Sequence, residues 1–192
     1  MVRTKQFDRF AALDEAMELF WERGYHATSI QDLVDRLAVN RQSLYDTFGG
    51  KDALYLAALE RYRTLAAQPV RMALEREGPV QEVLQRFFSD FLDNFLAGNW
   101  KGCFMVNATA ELAGQDEGVS RVCAANTRQL EAAFAGLIAR GQQAGEIDAS
   151  RPVLPLARFL VSTMNGLAVT AKATRDRKVL DQIVEVALRI VS

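Results

Sequence analysis

The stretch Thr28-Ser29-Ile30-Gln31-Asp32-Leu33-Val34-Asp35-Arg36-Leu37-Ala38-Val39-Asn40-Arg41-Gln42-Ser43-Leu44-Tyr45-Asp46-Thr47-Phe48 decides the fold. Ile30, Leu33, Val34 and Leu37 fall on one face of a short helix. Thr28 or Ser29 suits its N-cap, and Thr28 with Gln31 fits the spacing of a capping box. Ala38-Val39 reads as a tight turn, and Asn40 as the cap of a second short helix. That helix ends at Gly49-Gly50. Upstream, Phe10, Leu13, Met17, Phe20 and Trp21 recur at helical spacing until Gly24, where a chain reversal is easiest. Three helices of about 16, 9 and 9 residues, the last two joined by a tight turn, are the helix-turn-helix layout.

The third helix divides its faces as a major-groove reader must. Leu44 and Phe48, four residues apart, form the stripe that docks it on the first two helices. Arg41 and Tyr45 share one flank with Gln42 beside them, and Ser43 and Thr47 share the other. Arginine pairs in bidentate fashion with guanine O6 and N7, and glutamine with adenine N6 and N7. Hydroxyls at Thr28, Ser29, Ser43 and Thr47 suit phosphate oxygens. Lys51 adds its charge at the N-terminus of a fourth helix, where the dipole has the same sign.

The residues Gly24-Tyr25-His26-Ala27-Thr28-Ser29-Ile30, Leu33-Val34, Leu37-Ala38-Val39-Asn40, Leu44-Tyr45, Phe48 and Lys51-Asp52-Ala53-Leu54 together resemble the DNA-binding segment of the TetR family. The family pattern has Gly at Ala38, Ser at Asn40 and His at Thr47. The first two changes keep a turn and a helix cap, whereas the third replaces a ring that would face phosphate. The resemblance implies base reading by Arg41, Gln42 and Tyr45 and backbone contacts from Ser43, Thr47 and Lys51. It also implies a homodimer that lets go of double-stranded DNA when a small molecule enters the C-terminal part.

Helical periodicity continues to the end of the chain, with no repeat, long linker or strand-like alternation. Helices are expected over about 51–77 (broken or kinked at Pro69), from Pro79 to near Gly98, and over 103–113, 117–144, 153–172 and 176–191. The fold class is therefore all-α with about nine helices. Residues 1–50 are expected to form the helix-turn-helix domain, and 51–192 a helical domain for effector binding and dimerisation. Phe87, Phe91 and Phe95 stand at intervals of four, with Trp100, Cys103, Phe104, Asn107 and Met164 as further candidate lining of an apolar ligand cavity. The same spacing also describes ordinary core. The last two helices are apolar over more than one stripe, which suits pairing with a second copy.

Lys101-Gly102-Cys103-Phe104-Met105-Val106-Asn107-Ala108-Thr109-Ala110-Glu111-Leu112 is similar to a segment found in a TetR subgroup that includes NemR-like electrophile and oxidant sensors. A thiol in the first turn of a helix, two residues from Lys101, is favoured as thiolate. The competing reading is a small buried hydrophobe.

Composition bounds the rest. Hydrophobic residues make up 49% of 192, enough for a sizeable core. The formal charge is −1, and residues 1–51 hold seven Lys/Arg against eight Asp/Glu, so no basic footprint announces nucleic acid. Asp14, Glu15, Glu18 and Glu22 share the first helix, which can face away from a duplex. One histidine and two cysteines make a metal site implausible, and no glycine-rich phosphate loop or zinc-protease motif occurs. Neither a secretory leader nor an apolar run of membrane-spanning length is evident, so a cytoplasmic protein is expected. No cofactor and no catalytic residues are expected. The alternative function is a helical carrier or enzyme built on the aromatic stripe, for which no acid–base pair is visible.

Overall fold

Asp8 starts the first helix by accepting the N–H groups of Phe10 (2.8 Å) and Ala11 (3.3 Å). The computed structural model describes residues 8–97 and 101–191, and among these there are nine helices and no strand. They are α1 (Arg9–Arg23), α2 (Ile30–Leu37), α3 (Arg41–Phe48), α4 (Lys51–Leu74), α5 (Val80–Ala97), α6 (Phe104–Leu112), α7 (Glu117–Gln143), α8 (Val153–Ala173) and α9 (Arg177–Val191). The all-α expectation is met.

Packing separates two compact units, one of residues 8–64 with 107–123, the other of 65–97 and 101–106 with 124–191. The divisions fall inside α4, α6 and α7 rather than in linkers. In the first unit α1 packs on α2 and α2 on α3. Its core is small and aromatic: Phe20, Leu33, Leu44, Leu54, Tyr55 and Leu59 are fully enclosed, and Phe20 meets Tyr55 edge-on at 4.9 Å. The second unit is larger and more apolar. In it α5, α8 and α9 pack on one another around Leu84, Phe88, Leu92, Phe134, Ile138, Leu160, Leu167 and Leu180.

Several local expectations need correction. Of the two cap candidates Ser29 is the one that caps α2, but the box is shifted: Ser29 Oγ accepts the Asp32 N–H at 3.0 Å, and Asp32 accepts the Ser29 N–H at 2.8 Å. The third residue of this box is therefore Asp32 rather than Gln31. Thr28 instead turns its hydroxyl inward, donating to the Gly24 carbonyl at 2.7 Å from a fully buried position. Pro69 does not break α4, which runs through it and ends at Leu74. α8 is also apolar and long enough, by composition, to cross a membrane, unlike the expectation that no such segment exists. Here it is a core helix of the second unit, burying Leu156, Ala157, Leu160, Val161, Met164, Leu167, Ala168 and Ala171.

Candidate nucleic-acid interface

The turn between α2 and α3 depends on Ala38, which adopts a left-handed conformation at φ 51°. Its N–H bonds back to Asp35, and the Val39 N–H to Val34. The cost of that conformation for a residue with a Cβ is compensated locally by Asn40. Its side chain accepts the Ser43 N–H at 2.7 Å and starts α3 at once. Gly49, at φ 82°, stops α3 after two turns.

α3 buries Leu44 and Phe48 and leaves Arg41, Gln42 and Tyr45 exposed, with Ser43 and Thr47 half-buried. Arg41, Gln42 and Tyr45 thus share the outward side of one short helix. The Arg41 guanidinium lies 6.0 Å from the Tyr45 ring centre, and Gln42 is held by Asp46 at 2.7 Å. Ser29 is exposed at the start of α2. Lys51, the first residue of α4, rests its ammonium 4.1 Å from the centre of the Tyr25 ring.

The charge balance has a geometric explanation. Arg23 is paired with Asp32 (2.7 Å), Arg36 with Glu15 (2.6 Å) and Arg61 with Asp14 (2.8 Å). These acids neutralise cations that brace helices. Arg41 and Lys51 contact rings and no carboxylate of the ion pairs found among the described residues. Bulk charge is a poor guide to a surface where Arg9, Arg41 and Lys51 lie over rings while other cations are taken up by such pairing.

A polar knot beneath Lys51 completes the site. Tyr25 donates its hydroxyl to Asp52, and its ring stands edge-on to Tyr55 at 5.0 Å. The bond to Asp52, followed by partial burial and the nearby carboxylates of Asp52, Asp116 and Glu111, pushes the Tyr25 phenol up to about 12. Burial is the first cause of a similar upward shift at Tyr55. Glu111 of α6 accepts the backbone N–H of Tyr25 at 3.0 Å and of His26 at 2.8 Å. Sequence reasoning assigned no role to Tyr25, Glu111 or Arg9, whose guanidinium lies 5.8 Å from the Phe48 ring. The 86-residue separation of Glu111 from Tyr25 leaves no local pattern to find.

The family model of the tetR family of bacterial regulatory proteins matches residues 12–58, and the tetracyclin repressor-like C-terminal domain matches 80–187. The chain belongs to the TetR family. The TetR-family chain is 34% identical to YezE of Bacillus subtilis, an uncharacterized HTH-type transcriptional regulator, over 99% of both chains. It is 32% identical to the HTH-type transcriptional repressor ComR of Escherichia coli, over 98% of this chain and 90% of that one. Among solved structures, a cysteine mutant of the TetR-family regulator CifR complexed with 26-base-pair operator DNA superposes with a TM-score of 0.86 at 29% identity, covering 99% and 100% of the two chains. Reduced Escherichia coli NemR shares the fold at a TM-score of 0.85 and 22% identity, over 96% and 97%. This protein is thus a helix-turn-helix transcriptional regulator that binds DNA, and not an enzyme.

The candidate effector residues are less unified than the reader. Phe87 and Met164 are buried in the core of the second unit, with Phe91 and Phe95 packed against it. Phe87 meets Phe134 edge-on at 5.3 Å, and Phe91 meets Phe95 at 4.6 Å. Phe104 is buried at the first turn of α6, and Asn107 belongs to the other unit. Cys103 is half-buried and immediately precedes α6 rather than lying in its first turn. Trp100 lies outside the described residues.

Proposed function

We propose that this TetR-family regulator is a homodimeric repressor that holds a pseudo-palindromic operator and releases it when a small molecule binds or Cys103 is modified. The observation that carries this reading is the face of α3, with Leu44 and Phe48 inward and Arg41, Gln42 and Tyr45 outward. In this reading residues 1–50 are the reader and 51–192 hold the effector and the partner copy. Arg41, Gln42 and Tyr45 read base edges, while Ser29, Ser43, Thr47 and Lys51 hold phosphates. Thr28, being buried, braces the start of α2 instead. The protein acts in the cytoplasm, where its operator is.

Dimerisation through α8 and α9 is supported by a second apolar stripe on α9. Leu180, Val184, Ala187 and Val191 face the core, while Val179, Ile183, Val186 and Ile190 are exposed at the same spacing, joined by Val169 of α8. An isolated subunit needs only one stripe. Release requires the effector to prefer a conformation whose two recognition helices no longer match successive major grooves, roughly 34–36 Å apart. Phe87, Phe91, Phe95 and Met164 are the apolar wall that such an effector would enter.

Gel shift and footprinting across a salt series, on the DNA flanking the protein's own gene, test the reading. Arg41→Ala should relax base preference and cost about 1–3 kcal/mol, whereas Lys51→Ala should weaken every sequence alike. Adding N-ethylmaleimide should release wild-type protein and leave a Cys103→Ser protein bound. If neither Arg41→Ala nor Lys51→Ala alters binding, α3 is not the reader. If the Cys103→Ser protein is released as readily, the thiol is not the trigger.

A further inference from the structure

Lys51 has a long side chain, and a phosphate contact made by a freely rotating ammonium gives up rotamer freedom on binding. Here that freedom is already curtailed. The Tyr25 ring lies under the ammonium at 4.1 Å, a cation–π distance. The ring is fixed at both ends: its hydroxyl donates to Asp52, the residue next to Lys51, and its backbone N–H is held by Glu111 at 3.0 Å. The second carboxylate oxygen of Glu111 takes the His26 N–H at 2.8 Å, so one side chain grips two successive amides of the turn after α1.

Gly24 suits this grip, both by its left-handed backbone and by leaving space beside Glu111. It sits at φ 85°, and a Cβ there would come within 3.0 Å of a Glu111 carboxylate oxygen. The raised phenol of Tyr25 keeps its proton at neutral pH and so remains a donor to Asp52. Every atom in this chain of contacts belongs to the first unit.

We infer that Glu111 and Tyr25 are positioning residues for the Lys51 phosphate contact, Glu111 fixing the Tyr25 backbone and Tyr25 providing the seat that aims the ammonium. The inference rests on the reading of Lys51 as a phosphate contact. It adds that the strength of this contact is set by a carboxylate on α6, outside the helix-turn-helix.

A double-mutant cycle on the full-length protein tests it, with the DNA flanking its own gene as probe and circular dichroism melts to show that each variant folds. Lys51→Ala should weaken binding about 5- to 20-fold and lower the slope of log K against log salt by about one per protomer. Glu111→Gln keeps the shape but loses one acceptor. It should cost roughly 3- to 10-fold in the wild-type background and less than about 2-fold once Lys51 is alanine, because the two act on one contact. Its salt slope should fall towards that of Lys51→Ala. Tyr25→Leu should show the same dependence on Lys51, and it carries the test if Glu111→Gln fails to fold. A residue that only supports the fold would weaken both backgrounds by one factor. That additive result for both Glu111→Gln and Tyr25→Leu, with an unchanged salt slope, overturns the inference. A wild-type protein without affinity for the DNA, or a Lys51→Ala protein with wild-type slope, breaks the underlying reading of Lys51 instead.

Discussion

The helix-turn-helix and the α5–α8–α9 core are both built from amphipathic helices, yet they are stabilised differently. α3 buries only Leu44 and Phe48, and α2 only Leu33. Their ends are fastened by short polar bonds: Asn40 to Ser43, the Ser29–Asp32 box, and Thr28 to Gly24. The second unit relies on bulk. α8 alone buries eight apolar side chains, and Phe87 and Phe88 of α5 meet Phe134 of α7 at 5.3 and 6.3 Å. A reader must keep one face polar and free, so it is held by caps and neighbours. The second unit is held by apolar burial instead. The difference predicts unlike responses to mutation.

The largest response belongs to the apolar unit. Phe88 is fully buried and contacts Phe87 and Phe134, so Phe88→Ala should cost about 3–5 kcal/mol in transfer and cavity energy. Urea unfolding followed by circular dichroism measures it. A loss below about 1 kcal/mol would mean that this cluster is looser than its packing indicates.

The reader should respond less in stability and more in function. Asn40→Ala removes the cap of α3 and leaves the Ser43 N–H without its side-chain acceptor, costing about 0.5–2 kcal/mol. Because α3 has only two buried side chains to hold it, fraying at its first turn should displace Arg41 and Gln42. Operator affinity should then fall by a larger factor than global stability, with the urea midpoint and the gel-shift midpoint measured on the same preparation. Equal losses would show that the reader is as rigid as the core and would erase the contrast.

What was legible in the sequence follows from the same contrast. The reader's layout could be read because its signals are local: Gly24, the Asn40 cap, and the spacing of Leu44 with Phe48 all act within one or two turns. The sequence left Thr28 and Ser29 both open at the α2 cap, and only the Thr28–Gln31 box was misplaced, by one residue. Ser29 takes the cap because Thr28 sits one residue earlier, where its methyl is buried and its hydroxyl reaches back to Gly24. Of the break or kink expected at Pro69, the break does not occur. A proline removes one hydrogen bond from a helix, and α4 is long enough to continue through that loss. The part played by Phe87, Phe91 and Phe95 resisted reading because they have the spacing of a core stripe and of a cavity wall alike. Glu111 was invisible, since its partners Tyr25 and His26 are 86 and 85 residues away.

The smallest expected effect tests whether the reader's neutrality is real economy of charge or an obstacle to binding. Arg36 pairs with Glu15 at 2.6 Å, and hydrogen bonding to Glu15 is the first cause that raises the already high arginine pKa. Both side chains are substantially exposed, at 39% and 54%. Exposed pairs of this kind contribute about 0–1 kcal/mol, so Glu15→Gln should leave the urea midpoint almost unchanged. Removing one negative charge from α1 would strengthen binding, most of all at low salt, if affinity followed net charge. If instead it depends on Arg41 and Lys51 standing at fixed places on the surface, Glu15→Gln should change affinity by less than about 2-fold and leave the salt slope unaltered. A general gain in affinity that disappears at high salt would return bulk electrostatics to the account.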